Sequence, residues 1–306
     1  TMSRFLRLRL MPNRRVFAAA GVAAVACSQR STAEAFFSRS TVTVAPSVSS
    51  PPLQSLKLEM YQYEICPFCN KIKAVLDFHK VPYKTIEVNP LTKSELSFTK
   101  DLPEDHPAHK YRKVPLVRIG GDVVADSPVV LDRLVEGLGK EGVIGAAQMA
   151  RDYKDPKVAE WVRWADKELA VLLFPNLTRT LSESYQAFGY VDSVPHFSFL
   201  DKVSNRMAGS LAMWLAQGKI KKKYGITDER AALRASLDRW TDAIGKSDFL
   251  GGASPNLADL CVFGTLRSIE GLETHAIVLR ETQVGPWYER MAGRVGPRNG
   301  SRADRE

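Results

Sequence analysis

Short apolar runs and segments of helical period alternate from residue 56 to about residue 140. Apolar and aromatic side chains at 58, 60, 61 and 63 form a short run that predicts a first strand. A second set follows at the spacing of one helix face, made up of Ile72, Val75, Leu76 and His79. The pattern therefore begins with a strand that leads directly into a helix.

Further elements of both periods complete a first domain. The chain predicts a second strand at 83–88, a second helix at 91–100, a hairpin with strands at 114–119 and 123–125, and a closing helix at 127–137. This β-α-β-α-β-β-α order is that of a thioredoxin-like α/β domain, which we place at residues 56–140.

The second half of the chain predicts helices alone. After a glycine-rich stretch at 137–145, amphipathic helices are expected at 160–173, 206–224, 228–244 and 257–270. We therefore expect an all-helical second domain at residues 150–293 and a disordered polar tail at residues 294–306.

The positive charge is concentrated at the start of the chain. The formal net charge is +9, but residues 1–55 hold seven arginines against Glu34 alone. The charge of the rest of the chain therefore does not indicate a nucleic-acid partner. The first segment is rich in Arg, Ser, Ala and Thr and ends in a low-complexity run at 38–52, which is typical of a presequence. Its apolar stretch at 16–27 is shorter than the roughly 20 residues that a spanning helix needs.

We therefore expect residues 1–55 to be a cleaved targeting presequence with a disordered linker. The sequence Ala35-Phe36-Phe37 resembles the junction of bipartite plastid presequences. A plastid and a mitochondrion both stay open as the destination, because leaders rich in arginine and poor in acidic residues serve either organelle.

A Cys-Pro-Phe-Cys motif lies at the first predicted strand-to-helix turn. Four cysteines in 306 residues are too few for a disulfide framework, which favours a chemical use of this pair. Pro67 is favoured at the first position of a helix, so Cys66 is predicted at the helix N-terminus, where unpaired N–H groups stabilise a thiolate. We expect Cys66 to be the exposed nucleophile and Cys69 to lie one turn inside.

Two lysines and the remaining cysteines refine this interpretation. Lys71 and Lys73 lie within the next two helical turns and are expected to favour the thiolate. A structural zinc site is the main alternative for any CxxC pair, but it needs a second pair of ligands. Neither Cys27 nor Cys261 supplies that pair, so we predict no metal and favour a thiol-redox or glutathione role.

The residues around this motif resemble a known family. Residues 61–69, 76–79 and 87–90 are similar to glutaredoxins in general and to the membrane-associated type 2 prostaglandin E synthases in particular. The similarity extends through residues 111–115 in the first domain and 249–260 in the second. It covers residues 56–293 and implies a glutaredoxin-type α/β domain followed by an all-α glutathione-transferase-like domain.

The resemblance implies a glutathione site in the first domain. In this superfamily a cis peptide bond before a proline lies opposite the active cysteine, which places Pro115 as the cis residue and the backbone of Val114 against the cysteinyl part of glutathione. Asp126 and Ser127 match the helix N-terminus that holds the γ-glutamyl group. Phe68 is expected to shape the same pocket.

The same resemblance implies a glutathione-dependent isomerase that converts the cyclic endoperoxide prostaglandin H2 to prostaglandin E2. The Cys66 thiol is the expected catalytic group, Tyr63 is expected to donate a hydrogen bond to it, and Cys69 belongs to the same site. Haem is implied as an additional cofactor, with the glutathione sulfur as its iron ligand. A homodimer and peripheral association with a membrane are also expected of the family.

Two other functions stay open at this point. A glutaredoxin-like oxidoreductase would use Cys66 to attack a mixed disulfide and Cys69 to resolve it. A non-catalytic module that binds glutathione, haem or a protein is the second alternative, since a fold does not fix a function.

Three further features lie outside the motif. Trp161 and Trp164 share a helix face and predict packing in a core or between domains. Asn256 and Asp259 have the spacing of a helix cap. The polar loop at 100–109 resembles an insertion relative to the family and is expected to affect access to Cys66.

Overall fold

The computed structural model describes residues 57–140 and 145–302. The predicted presequence lies outside these residues, so its targeting role stays a prediction. Across the described ranges, no helix combines the length and the apolar character that crossing a bilayer requires.

A five-stranded mixed sheet forms the centre of the first domain. Its strands are β1 (Leu58–Gln62), β2 (Tyr83–Glu87), β3 (Leu116–Ile119), β4 (Asp122–Ala125) and β5 (Gly300–Arg302), in the order β4-β3-β1-β2-β5. Strand β1 pairs in parallel with β2 and antiparallel with β3, and β3 forms the expected hairpin with β4. With helices α1 (Pro67–Phe78) and α2 (Ser127–Lys140), this confirms the thioredoxin-like α/β fold.

The helix expected at 91–100 is shorter and of a different type. The segment Ser94–Lys100 is a 3₁₀-helix, and the residues before it form a turn. The Asn89 side chain explains this difference, because its Oδ1 accepts the N–H groups of Leu91 at 3.0 Å and Thr92 at 3.2 Å. Such a local side-chain bond competes with helix formation.

The second domain consists of helices, as predicted. They are α3 (Ala146–Lys154), α4 (Pro156–Trp164), α5 (Ala170–Leu177), α6 (Leu181–Ala187), α7 (Phe199–Ser204), α8 (Ser210–Tyr224), α9 (Glu229–Ile244), α10 (Leu257–Arg267), α11 (Glu273–Glu281) and α12 (Gly285–Val295). Single π-helical turns at Ala165–Leu169 and Asn205–Gly209 join α4 to α5 and α7 to α8, and a 3₁₀ segment covers Phe188–Ser193.

One hydrophobic core runs through both domains, and aromatic packing fills its centre. Trp161 and Trp164 lie 4.9 Å apart between ring centroids, and Trp240 lies 5.2 Å from Trp161. Trp287 continues the cluster at 5.2 Å from Trp240. The packing role expected of the first two tryptophans is confirmed.

The helix cap expected at Asn256 is also present. Asn256 Oδ1 accepts the N–H of Asp259, and an Asp259 carboxylate oxygen accepts the N–H of Asn256. The other carboxylate oxygen accepts the indole N–H of Trp287 at 3.0 Å. The cap therefore fixes the start of α10 and ties it to the aromatic cluster.

The expectation of a disordered tail after residue 293 is wrong for the described part of that segment. Helix α12 continues to Val295, and β5 then pairs in parallel with β2, with Gly300 opposite Tyr83. The buried Asp77 carboxylate holds this return, because it accepts the N–H of Asn299 at 2.8 Å and also binds Arg267 at 2.9 Å. A polar segment gives no apolar signal of these contacts, so the pattern missed the strand.

Helix α10 packs directly on α1, and Gly264 makes this close approach possible. An ideal Cβ at Gly264 would lie 2.5 Å from the Asn70 carbonyl oxygen and 2.6 Å from the Lys71 Cα. Both of these are backbone atoms, so a larger side chain requires the helices to separate.

We expect Gly264→Ala to lower the free energy of unfolding by about 1–3 kcal/mol, the usual cost of overpacking. Gly218→Ala is the matched control, because it also lies within a helix but a Cβ there has no atom within 4 Å. The control should raise the free energy by about 0.5–1 kcal/mol through helix propensity. Urea unfolding of both variants checks this, and equal effects would contradict the packing argument.

Candidate functional site

Cys66 lies at the N-cap of α1, with Pro67 at the first helical position as predicted. A tight turn precedes it, in which the Cys66 N–H donates to the Tyr63 carbonyl at 2.9 Å. The expectation of an exposed Cys66 is wrong, because only 9% of the residue is accessible. Its sulfur faces the Cys69 thiol and joins the hydrophobic core instead of projecting from the turn.

The two thiols of the motif differ in acidity. Burial raises the pKa of Cys66, but the Cys69 thiol, the N–H groups of Cys69 and Phe68, and Lys73 favour the thiolate, and the net pKa is lowered. Burial and the neighbouring Cys66 both raise the pKa of Cys69 well above that of an ordinary thiol. Cys66 is therefore the more acidic thiol of the pair, and the Cys69 thiol donates a hydrogen bond to it.

The two lysines expected to assist Cys66 have separate roles. Lys73 contributes to the lowered pKa of Cys66 and lies 3.5 Å from Glu64. Lys71 instead binds the Asp166 carboxylate of the helical domain, with Nζ–O distances of 2.6 and 2.8 Å. The prediction for Lys71 is therefore wrong, because the helix rotates its side chain toward the domain interface.

Three tyrosines lie close enough to Cys66 for its charge to affect the pKa of their phenols. The pKa of each phenol, Tyr63, Tyr111 and Tyr190, is raised, with burial as the largest cause and Cys66 as one of the others. All three are neutral donors at neutral pH. Sequence reasoning missed Tyr190, which lies in the 3₁₀ segment of the helical domain, where no periodic pattern marked it.

Polar contacts bring the residues that follow this 3₁₀ segment against the end of β2. His196 Nε2 lies 2.9 Å from the Glu87 carbonyl oxygen. The Asn89 amide donates to Asp201 at 2.9 Å, and the Asn205 amide donates to Asn89 Oδ1 at 3.1 Å. The second domain therefore covers the loop that follows β2 and places Tyr190 on the same side as Cys66.

A buried carboxyl group that the sequence did not single out lies beneath the turn. Glu87 is paired with Gln62 across β1 and β2, and its two oxygens accept the Glu64 N–H at 2.7 Å and the Gln62 amide at 3.0 Å. Burial, followed by the charge of Glu64, raises the pKa of Glu87 to about 8. The turn before Cys66 therefore depends on a carboxyl group that titrates near neutral pH.

The elements expected to hold glutathione lie close to one another. The Val114–Pro115 bond is cis, as predicted, and Val114 lies outside the β3 ladder, which begins at Leu116. The Asp126 N–H donates to the Pro115 carbonyl at 3.3 Å, which ties the start of α2 to this bond. Asp126 has φ 76°, and its carboxylate accepts the Ser127 N–H at 2.9 Å.

Phe68 and the loop at 100–109 complete the surroundings. Phe68 is half-buried and packs against the core. In the loop, His106 Nδ1 accepts the Ala108 N–H at 3.0 Å, and His109 Nδ1 lies 2.7 Å from the Leu102 carbonyl. Both histidines thus organise the loop that leads to Tyr111. Its expected effect on access to Cys66 stays a prediction.

Comparison with known proteins follows the same division of the chain. The family of the glutathione S-transferase N-terminal domain matches residues 60–139, and that of the C-terminal domain matches residues 197–290. Among solved structures, glutathione transferase F2 from Populus trichocarpa is 16% identical, covers 77% of this chain and 93% of that chain, and has a TM-score of 0.47. The fold and the domain matches define a glutathione-transferase-like protein.

Curated relatives narrow this class to one family. Prostaglandin E synthase 2 from Mus musculus is 34% identical, with 79% of this chain and 71% of the relative covered. Prostaglandin E synthase 2 from Danio rerio is 33% identical, with 77% and 70% covered. The chain belongs to the prostaglandin E synthase 2 family.

The pairing of the two thiols makes a testable prediction about acidity. We expect Cys69→Ala to raise the pH midpoint of Cys66 alkylation by about one unit or more, since a hydrogen bond to a charged group contributes roughly 1.5–3 kcal/mol. Cys69→Ser keeps a donor and should shift the midpoint much less. Iodoacetamide rates, followed by mass spectrometry of the Cys66 peptide, measure both, and equal midpoints in the two variants would contradict the assignment.

Proposed function

We propose that this protein is a glutathione-dependent isomerase that converts prostaglandin H2 to prostaglandin E2 at Cys66. The observation that carries the proposal is the lowered pKa of a nearly buried thiol at the N-terminus of a helix, in a chain of this family. A lowered pKa makes the thiolate form of Cys66 more accessible, and a thiolate with little water around it is a strong nucleophile. Burial raises the pKa of Tyr63, so this phenol keeps its proton at neutral pH and is the proposed proton donor.

The reaction that fits these groups is an isomerisation without a net oxidant. The Cys66 thiolate attacks the endoperoxide oxygen on C9, which forms an S–O bond and breaks the O–O bond. The oxygen on C11 leaves as an alkoxide and takes the phenolic proton of Tyr63. The Tyr63 phenolate then removes the hydrogen on C9 as a proton, the C9 carbonyl forms, and the S–O bond breaks to restore the thiolate.

The edge beside Cys66 fits glutathione. The backbone of Val114 is free of the β3 ladder and suits an extended peptide, while Asp126 offers a carboxylate to an ammonium group at the start of α2. When bound there, glutathione supplies a second thiol that keeps Cys66 reduced. Phe68 and Ser127 are the remaining residues that we assign to this edge.

The described residues do not fit haem in the same way. The iron ligand that the resemblance implies is the glutathione sulfur, so the described side chains themselves give no observation that supports a haem position. We therefore derive no step through haem.

The isomerase proposal is tested with the haem-free protein, reduced glutathione and prostaglandin H2. Cys66→Ser should reduce prostaglandin E2 formation to the spontaneous rate, and Tyr63→Phe should lower the enzymatic rate by about 100-fold or more. Cys69→Ser is the control, because it retains a hydrogen-bond donor and should keep most of the activity. If wild type and Cys66→Ser both match the spontaneous rate, the proposal is wrong.

A dithiol oxidoreductase is the second candidate, favoured by the hydrogen bond between the thiols of Cys66 and Cys69. Cys66 would attack a mixed disulfide, and Cys69 would resolve it after losing its proton. The same Cys69→Ser variant separates the two functions, since it abolishes resolution of a protein disulfide while sparing isomerisation.

An exposed apolar face on the helical domain supports the expected membrane association. Helices α7 and α8 form one continuous helix through the π-turn, and its outer face carries Phe199, Leu200, Val203, Met207, Leu211, Trp214 and Leu215. Lys222 and Lys223 follow at its C-terminal end. An apolar face beside basic residues is complementary to an anionic lipid surface. We therefore propose that this face binds a membrane, while dimerisation stays a prediction.

Phe199→Ser combined with Leu200→Ser should abolish co-sedimentation with phosphatidylserine-containing vesicles, because these side chains are 78% and 76% exposed. Val129→Ser, on an exposed part of α2, is the matched control and should bind as wild type does. Gel filtration of wild type and both variants measures the oligomeric state in parallel. If the double variant dissociates a dimer and vesicles never bind, the face belongs to a second copy of the chain.

A further inference from the structure

The segment after α12 returns to the turn that precedes Cys66. Gly296 ends the helix with φ 78°, and the Val295 carbonyl accepts the Lys80 ammonium at 2.8 Å. Three residues later, the Asn299 N–H donates to Asp77 at 2.8 Å. Arg298 lies between these two anchors, so the backbone fixes where its side chain starts.

The guanidinium of Arg298 contacts two residues that hold this turn. Its Nη1 donates to Asn70 Oδ1 at 2.8 Å and lies 3.0 Å from Glu64 Oε1. Its Nη2 faces the Arg267 carbonyl at 3.3 Å and Glu270 at 3.5 Å. The planar guanidinium of arginine presents N–H donors on several nitrogens and contacts these acceptors at the same time. A lysine ammonium has a single nitrogen and cannot contact all of them.

Asn70 connects Arg298 to Cys66. The Asn70 amide nitrogen donates to the Glu64 carbonyl at 2.7 Å and to the Cys66 carbonyl at 3.0 Å, and the residue is 1% exposed. A side-chain amide presents its oxygen to a donor and its nitrogen to acceptors. The donor from Arg298 therefore selects the orientation in which the amide nitrogen faces the turn.

Glu64 is held from the opposite side of the turn. Its N–H donates to Glu87, and its carboxylate accepts the Gln62 amide at 2.9 Å and lies 3.5 Å from Lys73. Arg298 adds a second cation to this carboxylate. The turn is thus bound at Glu64 by Glu87 of β2 and at Cys66 by Asn70, and Arg298 contacts both Glu64 and Asn70.

We propose that Arg298 is a positioning residue for Cys66, which acts by holding Asn70 and Glu64 so that the turn at 63–66 keeps the sulfur at the N-terminus of α1. The family match to the C-terminal domain ends at residue 290, before this residue. The proposal concerns the thiol itself and is independent of whether the substrate is an endoperoxide or a disulfide.

The test must allow for every charged or titratable group around Cys66. They are Cys69 and Lys73 on α1, Tyr63 and Glu64 on the turn, Glu87 on β2, Tyr111 before β3 and Tyr190 from the helical domain. A direct loss of charge at residue 298 is separated from a loss of positioning by Arg298→Lys, which keeps the charge but not the fork.

The measurement is the pH profile of Cys66 alkylation in the full chain, with urea unfolding of each variant. We expect Arg298→Met to raise the midpoint and to lower the rate at pH 7 at least threefold. Arg298→Lys should recover only part of that loss. Arg294→Met is the matched control from the preceding helix, where the guanidinium contacts the Ala253 carbonyl instead, and it should leave the profile unchanged.

A double variant tests the route through Asn70. If Arg298 acts through this amide, Arg298→Met combined with Asn70→Ala should react no more slowly than Asn70→Ala alone. A profile of Arg298→Met equal to that of wild type, or full recovery in Arg298→Lys, would overturn the proposal, and additive losses in the double variant would overturn the route through Asn70. If Arg298→Met does not fold, Arg298→Lys and Asn70→Ala carry the same comparison.

Discussion

The close contact between α1 and α10 is the constraint on which the rest of the molecule depends. Gly264 lets α10 approach the backbone of α1 at Asn70, one turn after Cys66. At the other end of α1, Asp77 binds Arg267 of α10 and the returning C-terminal segment. Both ends of α1 are therefore held by the helical domain, and the position of the thiol is a property of the two domains together.

Hydrogen bonds and a nearby charge outweigh burial in setting the pKa of Cys66. A thiol with 9% exposure is expected to stay protonated, because a buried charge loses its hydration. The helix N-terminus, the Cys69 thiol and Lys73 together reverse this effect. The nearby phenols do not oppose ionisation of Cys66, because Tyr63 and Tyr190 stay neutral and add no negative charge beside it.

The fold and the centre of the site were predictable because they depend on local signals. Pro67 marks the start of α1, the alternation of strands and helices defines the first domain, and the Asn256 cap marks the start of α10. The prediction that Cys66 is exposed was wrong, because no sequence pattern shows in which direction a side chain points at an N-cap. Glu87, Tyr190 and Arg298 were missed because each reaches the site from a distant part of the chain, through polar contacts that have no period.

The same missed residues explain how a short motif becomes a defined site. A CxxC sequence at a helix N-terminus occurs in proteins of many functions, so the motif alone does not select one. Glu87 and Arg298 bind the turn from the sheet and from the C-terminal segment, and Tyr190 of the helical domain interacts electrostatically with Cys66. The proposed attack on a weak O–O bond is consistent with an acidified thiol among neutral phenols, because the charge would move to the leaving oxygen, where a phenolic proton is available.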